Sequence, residues 1–217
     1  MYVLETIERE RARRVKELES PKENFSLLID DFSKLRNENE VKEITEFYHL
    51  LLSFEYSHPG LNKFAYMAHP IRVARLYISY CDNFRLDVFK LALAHNVIEL
   101  TGMSDQDTLP DTLKPIFHMI KKLTVDRASQ WDLDYKQNYY GIISRSEKMS
   151  VVKVLDKLDN LYGLSSNPSK EIKLLYLNEI EKFVLPLAKT FTPKLVDVID
   201  NLLIFNRQEI DGGSHEI

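Results

Sequence analysis

His69, His95 and Asp156 are of the residue types that can bind divalent ions, and they lie on three separate stretches of this chain. The stretches read Ala68-His69-Pro70, Leu93-Ala94-His95-Asn96-Val97-Ile98-Glu99 and Lys153-Val154-Leu155-Asp156-Lys157-Leu158-Asp159-Asn160-Leu161. Two imidazoles with carboxylate oxygens suit a hydrated Mn²⁺-like ion. His95 and Glu99 stand four residues apart, as do Asp156 and Asn160, so on helices each pair shares a face. Buried His, Asp and Glu cost desolvation energy unless they are paired or bound to metal. A lone buried His is usually a hydrogen-bonded core residue. Two of them, with an aspartate in register, favour an ion site, present or ancestral.

The elements that carry these residues are expected to be helices. Stretches of 3.6-residue period dominate, segments of period two are scarce, and only 6 glycines occur. We read the fold as all-α, a single bundle of about 8–10 helices. Expected helices run over residues 5–19, 25–35, 41–54, from His69 to about Tyr80, 86–100, 113–123, 131–143, 148–164, 173–189 and 193–210. His69-Pro70 reads as a helix start, because proline at the first helical position gives up no hydrogen bond. Residues 86–100 form the most apolar helix, which puts His95 and Asn96 near the middle of the domain. Three helix faces meeting at one point would hold an ion that none could hold alone. The domain reading is an N-terminal helical extension over 1–40, the main domain over 41–210 and a disordered tail over 211–217.

Composition narrows the function classes. The chain has 217 residues with 29 basic and 33 acidic side chains, a formal net charge of −4. No broad basic field is available to nucleic acid, so an anionic ligand needs a metal or a few placed cations. Cys81 is the only cysteine. That rules out an intramolecular disulfide or a cysteine zinc site and fits a reducing cytoplasm. We read Cys81 as a structural thiol. No apolar run reaches membrane-spanning length, and the N-terminus lacks a signal-peptide apolar region. The charged N-terminal helix is read either as a solvated helix or as a partner-docking element, with a homodimer as one expected outcome.

The segments quoted above resemble the HD phosphohydrolase superfamily, most of all the hydrolase domain of RelA/SpoT proteins and the small alarmone hydrolases. The similarity runs from about Val41 to Leu187 and includes Lys122-Leu123-Thr124-Val125 followed by Tyr135 and Tyr139. It implies an all-helical HD fold, a bound Mn²⁺ and removal of the 3′-diphosphate from guanosine tetra- or pentaphosphate. Carried over by position, His69, His95 and Asp156 match three metal ligands. Asn96 takes the fourth, where the family usually has Asp. Glu99 matches the first member of an acidic pair that activates water, and Leu100 stands in place of the second. Asn160 matches an Asn that supports substrate and site geometry. His58 and Lys63 lie in a shortened loop, where Lys63 is the one local cation for substrate. Arg72 either faces the site as a phosphate ligand or makes a structural pair.

The departures have physical consequences. Asn for Asp at a ligand position leaves a neutral amide oxygen where a charge is expected. Asp159, three residues past Asp156, is a less favourable substitute. Glu99 serves either as the base or in a salt bridge with Arg72 or Arg75. Lys153 and Lys157 read as solvated, and Tyr135, Tyr139 and Tyr140 as core residues able to stack on a base. Two functions stay open at this point: a weakened hydrolase of a guanosine polyphosphate or related purine nucleotide, and a non-catalytic nucleotide-binding or protein-interaction regulator.

Overall fold

The computed structural model describes residue 9 and residues 23–56, 63–103 and 109–212. Among them the chain is all-α: α1 (Glu23–Ser33), α2 (Glu38–Ser53), α3 (Lys63–Tyr80), α4 (Leu86–Ala94), α5 (Val97–Thr101), α6 (Lys114–Leu123), α7 (Leu133–Ile143), α8 (Glu147–Tyr162), α9 (Lys170–Glu179), α10 (Leu185–Phe191) and α11 (Val196–Gly212). A π-helical turn, Ile180–Val184, joins α9 to α10. Taking α4 with α5, and α9 through α10, as interrupted single rods gives nine rods among the described residues, within the expected range. No described helix is long and apolar enough to cross a membrane.

Sequence signals explain several boundaries. Asn37 and Glu40 make a reciprocal capping box that starts α2. Asp132, Ser146 and Ser169 each accept a backbone N–H at the starts of α7, α8 and α9. Gly102 ends α5 at φ 67, a left-handed conformation that glycine adopts without a Cβ penalty.

α8 is the central rod. Its buried set runs from Met149 through Asp159 to Leu161 and Tyr162, covering most of its circumference, and α3, α4, α10 and α11 pack around it. α4 is equally enclosed, with every residue from Val88 to Ala94 buried. The two most enclosed helices thus sit side by side, and α3 packs on both.

Three boundaries differ from expectation. Pro70 does not start a helix but lies within α3, which begins at Lys63. An interior proline costs about 3 kcal/mol, and burial of Tyr66, Met67, Ala68 and Ile71 around it offsets that cost. The expected 86–100 helix breaks at His95-Asn96, where Asn96 adopts φ −104, ψ 5; asparagine competes poorly for helix interiors. The expected 173–189 helix contains the π turn. The 5–19 helix, apart from Arg9, the loop with His58 and most of the tail lie outside the described residues.

Candidate metal centre and its cavity

His69 on α3, His95 at the end of α4 and Asp156 on α8 converge, with one ligand atom from each within 4.8 Å of the others. His69 Nε2 lies 3.2 Å from Asp156 Oδ1, and His95 Nε2 lies 3.7 Å from the same oxygen. The rings of His69 and His95 meet edge-on, 5.2 Å between centroids.

Local structure fixes each ligand. α4 ends at Ala94, so the carbonyl of Ala92 lacks its intrahelical partner and accepts a hydrogen bond from His95 Nδ1 at 2.7 Å. That leaves the lone pair on His95 Nε2, and this atom is buried with no hydrogen-bond partner. An orphaned buried imidazole nitrogen is costly in a purely structural core and is what a metal ligand requires. His69 is oriented from the other side: its Nδ1 meets Asp159 Oδ2 at 2.8 Å. A carboxylate behind the imidazole sets the tautomer and raises ligand basicity. Burial works against a charge on His69, but Asp156 and Asp159 outweigh it and raise its pKa. The Nε2 lone pair that takes a proton can take a divalent ion instead. The donor set therefore fits such an ion.

Asp156 is ionised. Burial would raise its pKa, but Lys153, then His69, hold it well below the usual carboxylate range. Lys153 Nζ donates to Oδ2 at 2.8 Å, and Asn160 Nδ2 donates to Oδ1 at 2.9 Å. One carboxylate thus receives a buried ammonium on one oxygen while the other faces the imidazoles.

The remaining expected residues divide. Asn96 lines the same cavity, half-buried, and its side chain shares a hydrogen bond with the buried Tyr66, whose phenol is pushed up chiefly by burial. Glu99 also lines the cavity. It pairs with neither Arg72 nor Arg75: Arg127 Nε donates to its Oε1 at 2.6 Å, and Arg75 goes to Asp31 at 3.1 Å. Arg72 lines the cavity, but its Nε and Nη2 grip Asp159 at 2.9 and 3.0 Å. In that position the guanidinium supports the carboxylate behind His69. Asp159 is correspondingly no substitute ligand, because it faces Nδ1 of His69 and not the cluster. Leu100 is buried on the cavity wall. Lys63 opens α3, and its side chain is outside the described ones.

The cavity measures about 490 Å³, ample for a nucleotide. Its walls hold residues that sequence reasoning assigned to solvent or did not single out. Lys153 is only 2% exposed, not solvated, and Lys157 also faces the cavity. Arg127, Trp131, Lys136 and Glu179 line it as well. Lys136 and Glu179 sit on helices whose periodicity gives no sign of a shared cavity. A lysine inside the apolar α8 run was the one legible hint.

No family model matches this chain, and no curated protein matches it. Among solved structures it is similar to one described as a metazoan ortholog of SpoT that hydrolyzes ppGpp and plays a role in starvation responses. The match has 19% identity, covers 77% of this chain and 94% of that one, and has a TM-score of 0.55. The chain therefore has the all-helical fold of that hydrolase, as the sequence resemblance implied.

Proposed function

We propose that this chain is a divalent-metal-dependent phosphohydrolase for a guanosine polyphosphate or a related purine nucleotide, slower than a site with its full set of carboxylates. The observation that carries the reading is the meeting of His69, His95 and Asp156 in a nucleotide-sized cavity, with His95 Nε2 buried and unpartnered. The neighbour's ability to hydrolyse ppGpp supports the choice of substrate.

His69, His95 and Asp156 would hold the ion, Mn²⁺ on this reading, with the Asn96 amide oxygen as a weak fourth donor. Such an ion supplies an acidified water and neutralises charge developing on phosphate. Glu99 accepts the proton of the attacking water once Arg127 has moved to substrate phosphate. Asn160 steadies Asp156 Oδ1. Arg72 acts at one remove, through Asp159, to orient His69. Lys63, at the start of α3, is assigned to substrate phosphate. The slower rate follows from Asn96 and Leu100, which remove a ligand charge and a proton acceptor. A cytoplasmic enzyme belongs to the same reading.

The test is metal analysis of the purified protein, followed by hydrolysis of guanosine tetraphosphate with Mn²⁺ and with EDTA. Mn²⁺-dependent release of diphosphate supports the proposal. Protein that neither binds Mn²⁺ nor turns over the nucleotide sinks it and favours a nucleotide-binding regulator, the reading favoured by Asn96, Leu100 and an Arg127 guanidinium seated on Glu99.

A further inference from the structure

The cavity carries a second charged cluster, built from elements that supply no metal ligand apart from α8. Lys136 on α7 meets Glu179 Oε2 at 2.8 Å, and Lys157 on α8 meets Glu179 Oε1 at 2.7 Å. Tyr140 donates its hydroxyl to the same Oε1 at 2.6 Å. All four residues line the cavity.

The stoichiometry is unusual for a structural pair. Two lysines share one carboxylate where Lys136 and Glu179 are each only 7% exposed. Burying uncompensated charge is expensive, and Lys153 cannot lend its partner, because Asp156 is already shared with the imidazoles. Each ammonium has three donors, and Glu179 takes one from each. Lys136 Nζ lies 4.5 Å from the centre of the Trp131 ring, and Lys157 Nζ lies 4.5 Å from that of Tyr176. These faces hold the ammoniums without using up their hydrogen bonds. Glu179 is also the last residue before the π turn Ile180–Val184, and π turns within α-helices occur frequently at functional sites.

We propose that Lys136 and Lys157 form an anion subsite, counter-charged by Glu179, that binds a phosphate group of the nucleotide other than the one attacked beside His69, His95 and Asp156. Lys136 and Lys157 are then specificity-determining residues. Glu179 presents the two ammoniums and also weakens their grip, which keeps a highly charged product from being trapped. The subsite rests on the phosphohydrolase reading for its ligand class but not for its geometry.

The experiment is calorimetric titration with guanosine 5′-diphosphate in EDTA, so that no metal contributes. Wild type is expected to bind with a measurable affinity under these conditions. Lys136→Met and Lys157→Met should each bind about tenfold to a hundredfold more weakly, the worth of a charge-assisted hydrogen bond. Lys157→Arg should recover most of the affinity. Glu179→Gln should bind more tightly than wild type, and this variant decides the matter if the methionine variants do not fold. Absence of binding to wild type, unchanged affinity in both folded methionine variants, or weaker binding by Glu179→Gln would overturn the subsite. Loss of binding in the lysine variants of a protein that never hydrolyses guanosine tetraphosphate with Mn²⁺ would keep the subsite and discard the hydrolase. Unimpaired lysine variants of an active hydrolase would do the reverse.

Discussion

Asn96→Asp probes the metal cluster most directly. In the native chain the donor set is close to neutral, because the single carboxylate of Asp156 is matched by the ammonium of Lys153 at 2.8 Å. Asn96 lines the same cavity, in the turn between α4 and α5. A second carboxylate there gives a dication a net negative partner. Loss of a mere supporting group around a metal costs about 10–100-fold in affinity, so gain of a charged ligand should return at least that, about 1.4–2.7 kcal/mol. With Mn²⁺ in excess over both dissociation constants, the added affinity appears directly as folding stability. For a domain of this size that amounts to an extra rise of about 3–11 °C in melting temperature. Without metal the sign reverses. The introduced carboxylate and Asp156 repel, and the bond between residue 96 and Tyr66 is disturbed, so the variant should melt below wild type in EDTA. Differential scanning fluorimetry across a Mn²⁺ series, with EDTA as reference, reads both. A variant whose Mn²⁺ response equals that of wild type would show that residue 96 does not face an ion, and the cluster reading would fail with it.

Glu99→Gln should lower Mn²⁺-dependent turnover of guanosine tetraphosphate by about 10²–10⁴-fold while leaving the Mn²⁺-induced thermal shift in place; equal turnover would remove Glu99 from the chemistry. Arg72→Met should destabilise the fold by about 3–5 kcal/mol in urea titrations, since it takes the guanidinium from the buried Asp159 carboxylate; a loss under about 1 kcal/mol, the worth of an exposed pair, would contradict its assignment as a support for His69. Glu179 supplies a pH test. Burial opposes its ionisation, but Lys157, Lys136 and Tyr140 outweigh it and bring the carboxyl from 4.5 to about 2. A depressed carboxylate contributes stability that is complete above the unfolded value and is lost as pH falls through the folded one. The stability gap between wild type and Glu179→Gln should therefore hold from about pH 7 to about pH 4.5 and shrink by about 3 kcal/mol toward about pH 2. A gap independent of pH in urea titrations would refute the network as described.

Much of the fold was legible because helical periodicity is a local property. Burial of α4 followed from apolar residues on nearly every side of that segment, and its closure at Gly102 is equally local; α8 interleaves charged with apolar residues, so its full burial was not legible. The convergence of His69, His95 and Asp156 was legible too, since buried polar residues in apolar helices demand a shared partner. Boundaries failed where tertiary packing overrode propensity: α3 runs through Pro70 because the residues around it are buried in the core.

The sequence by itself determined the all-helical architecture, the two imidazoles and the carboxylate of the cluster, and the amide at Asn96, because residue identity and short-range spacing carry that information. Only the tertiary structure decided which charges meet. Asp159 belongs to His69 and Arg72, Glu99 to Arg127, and Glu179 to two lysines from different helices. His69 and Asp159 stand 90 positions apart, and Glu99 and Arg127 stand 28 apart. Such partners are set by helix crossing and rotation rather than by neighbours along the chain. Electrostatic matching acts through space, so it becomes visible only once the helices are packed.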